Sequence, residues 1–440
     1  MKARWMKLFC VGMIAMLLVS CMHKPIAQKE DPEDFPILKM EKVFTGPTDE
    51  NIIRPLLLHG NQYFYRDFDF DTHQEHYLAI NIDLKKTQWD KTYPDLEFPL
   101  TEFPQLIQDL VLWPSTNGDK YSPESKILAL NKDTGSIKWQ FRIDDTYGDI
   151  VLIQKTLFVT SWIRIYALDF QTGKLLWKKS IYDFFPGYSK EKDYYHIGTV
   201  LSNQNTLFLG YTLETDMTKD DRTVFKGCLA IQPVNGSILW KYEKEYKEWS
   251  GIEEEDFEII GSYLLAYGFT TLDTKNGKKM WQYKPEDLEY KDPETFFVGY
   301  VDSEKLLIYR TTYEVRFEEY GTTLTGLDIG SGKPKWKQEA KEEGDSQNSQ
   351  NLFCIDENHQ TNQIFMFNSS LHENQTLIDN MDVYDSKDGK LLQSYEMPVS
   401  YWIRVLKSEI RFHQGWWYFI GTSSTNGGDQ DNLFRFQLNQ

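Results

Sequence analysis

The 440-residue chain has few cysteines and few cationic side chains, and each shortage excludes a class of protein. Four cysteines are too few for a small fold held together by disulfides. The 48 Lys and Arg residues stand against 66 Asp and Glu residues, which gives a formal net charge of -18. Nucleic-acid backbones bind to cationic surfaces, so we expect no nucleic acid as a partner.

The sequence also lacks the short motifs that mark common catalytic and metal sites. It contains no G-x-S-x-G, H-E-x-x-H or C-x-x-C, and the segment 330–333 fails as a phosphate loop because Leu327 stands where the first glycine is needed. Two clusters offer metal ligands without an established spacing: Asp67, Asp69, Asp71, His73, Glu75 and His76, and then Asp429 and Asp431. We interpret both as hairpin residues in water and predict no catalytic residues, no metal and no cofactor.

Long hydrophobic runs are absent except at the start of the chain. Three cations in the first seven residues precede an apolar stretch over 8–19, which is too short for a comfortable membrane span and typical of a cleaved leader. The stretch ends in Leu18-Val19-Ser20-Cys21, which resembles the lipobox of bacterial lipoproteins. That resemblance implies a signal peptide over 1–20 and lipidation of Cys21, and Met22 after the cysteine favours the outer membrane. Residues 21–36 are polar, acidic and rich in proline, so we predict a flexible tether.

The remainder, residues 37–440, repeats one phrase. An apolar strand, an Asx residue and a turn ending in Gly are followed by Trp four residues after the Gly. The glycine and tryptophan pairs are Gly135 and Trp139, Gly173 and Trp177, Gly236 and Trp240, Gly277 and Trp281, and Gly332 and Trp336. Two weaker copies flank them, one ending in Trp89 without a glycine and one with Gly389 and with Gln393 in place of the tryptophan.

The residues of the phrase predict a β-hairpin. Thr, Asn, Ser or Asp stands before each glycine and can bond to local backbone, while the glycine supplies a positive φ. This pattern is typical of a type I turn closed by a bulge. Strict alternation along the following strand predicts that the tryptophan and the residue two after the glycine, such as Ile137, Leu175 and Ile238, share one buried face.

Each phrase is preceded by another pair of apolar runs, which makes about four strands per unit, and no sustained helical periodicity occurs. Four-stranded units repeated radially form a β-propeller, because a ring of blades leaves only short, protected edges. The last unit has three strands, and the segment 37–44 can supply its fourth. We therefore predict an all-β propeller of four-stranded antiparallel blades in a single domain over 37–440, closed by pairing of the N- and C-terminal strands. The predicted number of blades is eight, with seven as the alternative.

The phrase is similar to the repeat of the pyrroloquinoline-quinone-like (PQQ-like) propellers, and Ala167-Leu168-Asp169 through Thr172-Gly173 to Trp177 carries the resemblance almost letter for letter. The family includes lipid-anchored propellers of the outer-membrane assembly machinery, which implies a non-catalytic scaffold that binds another envelope protein. It also includes quinone-dependent dehydrogenases, which remain an alternative. Those enzymes often carry adjacent cysteines, whereas Cys228 and Cys354 are far apart and are interpreted as buried strand residues.

A third function is left open by exposed aromatic side chains. Trp416, Trp417 and Tyr418 form a triplet that can stack on a carbohydrate or another small ligand at the cell surface. Alternation places Trp416 and Tyr418 on one face of a strand and Trp417 on the other, so we expect at least one of these faces to be buried. The acidic run over 253–256 is interpreted as a solvated loop.

Overall fold

Eight antiparallel β-sheets make up the part of the chain described by the computed structural model. The described residues are 40–48, 56–59, 61–69, 74–81, 83–84, 86–93, 104–116, 124–187, 193–215, 223–246, 257–266, 269–283, 291–302, 304–316, 319–340, 352–355, 363–372, 375–396, 404–405, 411–413, 416–425 and 428–437. The predicted signal peptide, Cys21 and the tether lie outside these residues.

Seven of the sheets have four strands each, paired in chain order. Sheet 1 contains β2 (Leu56–His59), β3 (Gln62–Asp69), β4 (Gln74–Asn81) and β5 (Lys86–Thr92). Sheet 2 contains β6 (Gln105–Ile107), β7 (Leu110–Thr116), β8 (Ser125–Asn131) and β9 (Ile137–Ile143). Sheet 3 contains β10 (Tyr147–Ile153), β11 (Thr156–Ser161), β12 (Arg164–Asp169) and β13 (Leu175–Ser180). Sheet 4 contains β14 (Tyr194–Ser202), β15 (Leu207–Thr215), β16 (Thr223–Ile231) and β17 (Ile238–Tyr246).

The remaining sheets follow the same order. Sheet 5 contains β18 (Glu258–Ile260), β19 (Tyr263–Ala266), β20 (Thr270–Asp273) and β21 (Lys279–Gln282). Sheet 6 contains β22 (Lys291–Val301), β23 (Leu306–Arg316), β24 (Glu319–Asp328) and β25 (Pro334–Ala340). Sheet 7 contains β26 (Leu352–Ile355), β27 (Gln363–His372), β28 (Gln375–Asp385) and β29 (Leu391–Glu396).

Sheet 8 joins the two ends of the described chain. It contains β1 (Met40–Thr48), β30 (Arg404–Val405), β31 (Arg411–His413), β32 (Trp416–Thr425) and β33 (Gly428–Phe436). β1 pairs antiparallel with β33, and β32 then pairs with both β30 and β31. The N-terminal strand therefore occupies the fourth-strand position of the last sheet.

Helix is confined to one turn in the described residues, α1 (Ile181–Phe184), which links sheet 3 to sheet 4. Ser180 caps it in a capping box with Asp183, so the first backbone N–H groups have acceptors. Within the same part of the chain, no helix is long and apolar enough to cross a membrane. The all-β prediction with four-stranded antiparallel sheets is confirmed.

Neighbouring sheets pack through apolar clusters, one at each of the first six junctions. Phe64 and Tyr77 of sheet 1, for example, pack with Val111 and Trp113 of sheet 2 in one buried cluster. Similar clusters join sheets 2 and 3, 3 and 4, 4 and 5, 5 and 6, and 6 and 7. First strands of successive sheets lie side by side, as β10 does with β14 and β22 with β26. Face-to-face packing of sheets in chain order is the arrangement of β-propeller blades.

Candidate functional site

The hairpin between the third and fourth strands of each sheet, called here the repeat turn, is built by local hydrogen bonds. The Gly173 N–H donates to the Asp169 carbonyl oxygen at 2.8 Å, and the Asp169 carboxylate accepts from the Thr172 backbone and hydroxyl. Gly173 has a φ of 67°, and the repeat-turn glycines of sheets 2 to 7 all lie between 66° and 73°. The predicted positive φ is confirmed.

Each tryptophan of the phrase contacts the repeat turn of the next sheet. Trp139 donates its indole N–H to the Phe170 carbonyl oxygen at 2.9 Å, and its ring covers Gly173. The same bond recurs from sheet 1 to sheet 7, from Trp89 to Lys132, Trp177 to Pro233, Trp240 to Thr274, Trp281 to Ile329 and Trp336 to Ser386. The tryptophans therefore join consecutive sheets rather than stabilising only their own hairpin.

The sequence predicts that the residue two after the glycine is buried on the same face as the tryptophan, and this prediction is wrong. Ile137, Leu175 and Ile238 are 47%, 43% and 41% exposed, whereas Trp139 is only 7% exposed. A bulge separates the two positions, since Ala129 pairs with Trp139 and the next residue, Leu130, pairs with Ile137. The extra residue reverses the alternation and turns the aliphatic side chain outward. The bulge recurs in all of the first seven sheets.

Only some of the residues that the sequence offers as metal ligands lie in the part of the chain that the structure describes. Asp67 and Asp69 lie in β3, Glu75 and His76 in β4, and Asp429 and Asp431 in β33, while Asp71, His73 and the run 253–256 lie outside the described residues. The His76 Nδ1 atom lies 2.8 Å from Asp90 Oδ1. Among the described residues, no three His, Cys, Asp or Glu side chains are grouped to hold a metal.

The remaining candidates have ordinary surroundings. Cys228 is a free, fully buried thiol in β16, as predicted, and burial raises its pKa. Cys354 lies in β26 of a different sheet. Gly330 to Lys333 form the repeat turn of sheet 6. Trp416 is partly buried at the start of β32, and the Arg435 guanidinium lies 4.2 Å from the centre of its ring.

A surface cleft of about 470 Å³ lies between sheets 5 and 6. Tyr263 and Tyr300 contribute to its lining, together with two carboxylates. Lys305 bonds to Asp302 at 2.6 Å, and the Ser331 hydroxyl bonds to Asp328 at 2.8 Å. Both carboxylates therefore already have local partners.

Sequence reasoning missed Trp162, a large aromatic side chain that is 45% exposed. It lies in the tight turn between β11 and β12, outside the repeat phrase, at the end of sheet 3 opposite the repeat turn. Its ring meets the ring of His196 edge-on at 5.5 Å and that of Tyr194 at 6.4 Å. A tryptophan in a turn between two apolar runs is the only signal the sequence offers for this site.

Hydrogen bonds from the next sheet hold the turn of Trp162 in place. The Trp162 carbonyl oxygen accepts from the Ile197 N–H at 2.7 Å, and the Ile163 carbonyl oxygen accepts from the Ile181 N–H at 2.8 Å. Behind them, Phe185 stacks on the buried ring of Tyr195 at 5.1 Å. The backbone that presents the indole is therefore fixed by sheet 4 and by α1.

Two cation–carboxylate pairs lie at the same end of sheet 3 as Trp162. Arg164 donates to the Asp144 carbonyl oxygen at 3.1 Å and lies 3.9 Å from Asp145 Oδ2. Lys178 bonds to the Asp144 carboxylate at 2.7 Å, and this bond lowers the pKa of that carboxyl. We call Trp162, Arg164, Tyr194 and His196 the Trp162 patch. Its composition of Trp, Tyr and Arg is typical of residues that dominate protein–protein binding.

Residues 123–287 match the family model for outer membrane protein assembly factor BamB. Over this stretch the chain is similar to BamB and carries PQQ-like repeats. The match includes sheets 3, 4 and 5, and it therefore contains the Trp162 patch and the indole bonds made by Trp139, Trp177 and Trp240. The predicted resemblance is confirmed over this stretch.

Several solved structures are similar at low sequence identity. BamB from Moraxella catarrhalis is 11% identical, with 90% of this chain and 100% of that chain covered and a TM-score of 0.46. A europium-containing methanol dehydrogenase is 11% identical, with 90% and 93% covered and a TM-score of 0.48. The dihydro-heme d1 dehydrogenase NirN is 11% identical, with 93% and 82% covered and a TM-score of 0.49. No curated protein matches the chain.

Proposed function

We propose that the protein is a non-catalytic, lipid-anchored scaffold of the bacterial outer membrane that binds another envelope protein through the Trp162 patch. The anchor is the diacylglyceryl group expected on Cys21. The eight sheets act as the blades of one ring, which β1 closes by its pairing with β33. Similarity to BamB over residues 123–287 supports the envelope location and the partner class.

The exposure of Trp162 on a fixed backbone is the observation that carries the proposal. A large aromatic side chain that enters a pocket on a partner protein contributes much of the binding energy, so an exposed indole on a fixed backbone is suited to protein binding. The turn is already held by bonds to Ile197 and Ile181, so binding does not require the backbone to become ordered.

The test is affinity capture from membranes with wild-type chain and with Trp162→Ala. Loss of the indole should lower recovery of one envelope protein by about tenfold or more, because hot-spot truncations cost about 2 kcal/mol or more. Lys155→Ala, which truncates an exposed side chain of the same sheet outside the Trp162 patch, is the matched control and should recover the partner normally. Equal recovery by Trp162→Ala, with unchanged thermal unfolding, would contradict the proposal.

A further inference from the structure

The exposed apolar side chains of the described residues are concentrated at one end of the sheets. All the large hydrophobic residues that are well exposed, except Trp162, lie in a repeat turn or in the three residues after it. They are Leu84, Ile137, Leu175, Leu176, Val234, Ile238, Leu239, Met280, Leu391 and Leu392. Single exposed apolar residues are ordinary, whereas this many at the same structural position mark a contact surface.

Lysines outnumber acids at the same positions. The repeat turns of sheets 2 to 7 and the three residues after each contain ten Lys and six Asp residues, and three of the lysines pair with an aspartate of their own turn. The three residues after the repeat-turn glycine in sheets 2 to 7 include no Asp or Glu, although the chain has a net charge of -18. They include Lys138, Lys174, Lys278, Lys279, Lys333, Lys335 and Lys390, all exposed. We call these lysines and the exposed aliphatic residues the turn edge. With the Asp residues of the repeat turns counted, the repeat turns and the three residues after each carry a formal net charge of +4 on a protein that is strongly acidic overall.

The turn edge is continuous across neighbouring sheets. Each indole bond, such as that from Trp177 to Pro233, ties the repeat turn of one sheet to the fourth strand of the sheet before it. Six such bonds connect sheets 1 to 7 in order. The short lysine and aliphatic segments therefore lie next to one another rather than being scattered.

The N-terminal part of the chain leaves the structure at this edge. β33 is the third strand of sheet 8, and its last residue, Phe436, pairs with Met40, the first residue of β1. Third strands end at the repeat turn in the other sheets, so β1 begins at the turn edge. The 20 residues from Cys21 to Met40 span at most about 70 Å when extended. The predicted lipid anchor is therefore attached on the same side as the turn edge.

We infer that the turn edge lies against an anionic lipid surface. This inference rests on the lipid anchor of the proposed function. Lysine stems pack beside the aliphatic side chains while the ammonium groups contact phosphate-bearing headgroups, and the aliphatic side chains enter the interface between headgroups and acyl chains. The Trp162 patch is at the opposite end of its sheet, so it faces away from the lipid and stays accessible to a partner protein.

Hydrogen exchange of the full chain on lipid vesicles tests this arrangement. Backbone amides of the repeat turns, for example 169–176 and 273–280, should exchange at least about tenfold more slowly on phosphatidylglycerol vesicles than on phosphatidylcholine vesicles, since each lysine near an anionic surface strengthens binding about fivefold. Amides at 162–164 should exchange at equal rates on both.

Two charge-reversal variants make the comparison specific. Lys278→Glu with Lys279→Glu should remove the added protection on phosphatidylglycerol by about tenfold. Lys126→Glu with Lys226→Glu changes the net charge equally in the first half of β8 and of β16, away from the turn edge, and should keep the added protection. Loss of protection in both variants would overturn the inference, because it would reflect net charge alone.

The Cys21→Ala variant distinguishes two ways in which the inference can fail: the turn edge does not bind lipid, or Cys21 carries no lipid anchor. Turn-edge protection on phosphatidylglycerol should persist in this variant at saturating lipid. Three outcomes would overturn the inference. The repeat turns could stay unprotected in both the wild-type and the Cys21→Ala chain, they could be protected equally on the two lipids, or they could be protected only when an envelope protein is added. A wild-type chain without the acyl mass would count against the anchor alone, since the exchange comparison in the Cys21→Ala chain still decides the edge.

Discussion

Trp139 and Gly173 face each other across two neighbouring sheets, and each determines what the other position accepts. A Cβ on Gly173 would stand 2.7 Å from the Cδ2 atom of Trp139, closer than carbon atoms approach in proteins. The glycine is therefore required twice, once for its positive φ and once for the indole that covers it. Glycine and tryptophan therefore recur together in the repeat phrase, because the tryptophan of one sheet packs on the glycine of the next.

Replacement of Gly173 by alanine should destabilise the protein. The left-handed backbone costs about 1–2 kcal/mol for a non-glycine residue, and overpacking against Trp139 adds about 1–3 kcal/mol. Gly261→Ala is the matched control, because Gly261 has a φ of 61° with no atom within 4 Å of the added Cβ. Urea unfolding should show the larger loss for Gly173→Ala, and equal losses would contradict a role for the indole.

Closure of the last sheet by β1 can be tested with a disulfide. Glu41 and Arg435 stand opposite each other in the β1–β33 pair, and opposite residues of antiparallel strands are close enough for a disulfide. Glu41→Cys with Arg435→Cys should form an intrachain disulfide on mild oxidation, detected by peptide mass. Glu41→Cys with Asn432→Cys is out of register and should not. No disulfide in either variant would argue against this pairing.

The free energy of unfolding should contain a contribution from Asp149 that falls as the pH rises above the ordinary pKa of an aspartate. Burial raises its pKa, against the opposing effect of hydrogen bonds from the Ile150 and Val200 N–H groups. A raised folded-state pKa means that the folded protein binds more protons than the unfolded chain in the window above the ordinary value. The unfolding free energy of wild type relative to Asp149→Asn should therefore decrease as pH rises through that window.

Asp144 provides the control of opposite sign. The Lys178 bond lowers its pKa, so its contribution to stability is present above its ordinary value and is lost as pH falls through the folded-state pKa. Wild type relative to Asp144→Asn should gain stability as pH rises at the acidic end. The same trend for both variants in chemical unfolding from pH 3 to 7 would show that general charge repulsion dominates.

Cys21→Ala should leave the chain unprocessed or released from membranes. The thiol is the expected acyl acceptor, and without it neither lipidation nor the cleavage that follows lipidation takes place. Fractionation and the intact mass of the mature chain provide the measurement. Unchanged membrane fractionation together with an unchanged mature mass would count against the lipobox interpretation.

An activity assay tests the alternative that the protein is a quinone-dependent dehydrogenase. The purified chain is expected to show no quinone absorbance and no dye-linked oxidation of alcohols or sugars after addition of pyrroloquinoline quinone and calcium. Cys228 and Cys354 lie in sheets 4 and 7, so they do not form the adjacent pair found in many such enzymes. Robust turnover would favour the enzyme over the scaffold.

Local sequence was sufficient for the hairpins. Asp169, Thr172 and Gly173 form their turn with partners no more than five residues away, so their residue types predict it directly. The four-strand units follow in the same way, because alternating apolar runs separated by polar turns depend on neighbours along the chain. The pairing partner proposed for the last unit also came from counting strands.

Only the tertiary structure decided which way several side chains face. The bulge before Trp139 depends on pairing with β8, and it exposes Ile137 although alternation along the strand predicts burial. The acceptor of the Trp139 indole, Phe170, belongs to the next sheet. Trp162 is presented by bonds from Ile197 and Ile181, which follow it by 35 and 19 residues. Contacts between sheets form only when the chain packs, and no pattern within a single hairpin contains them.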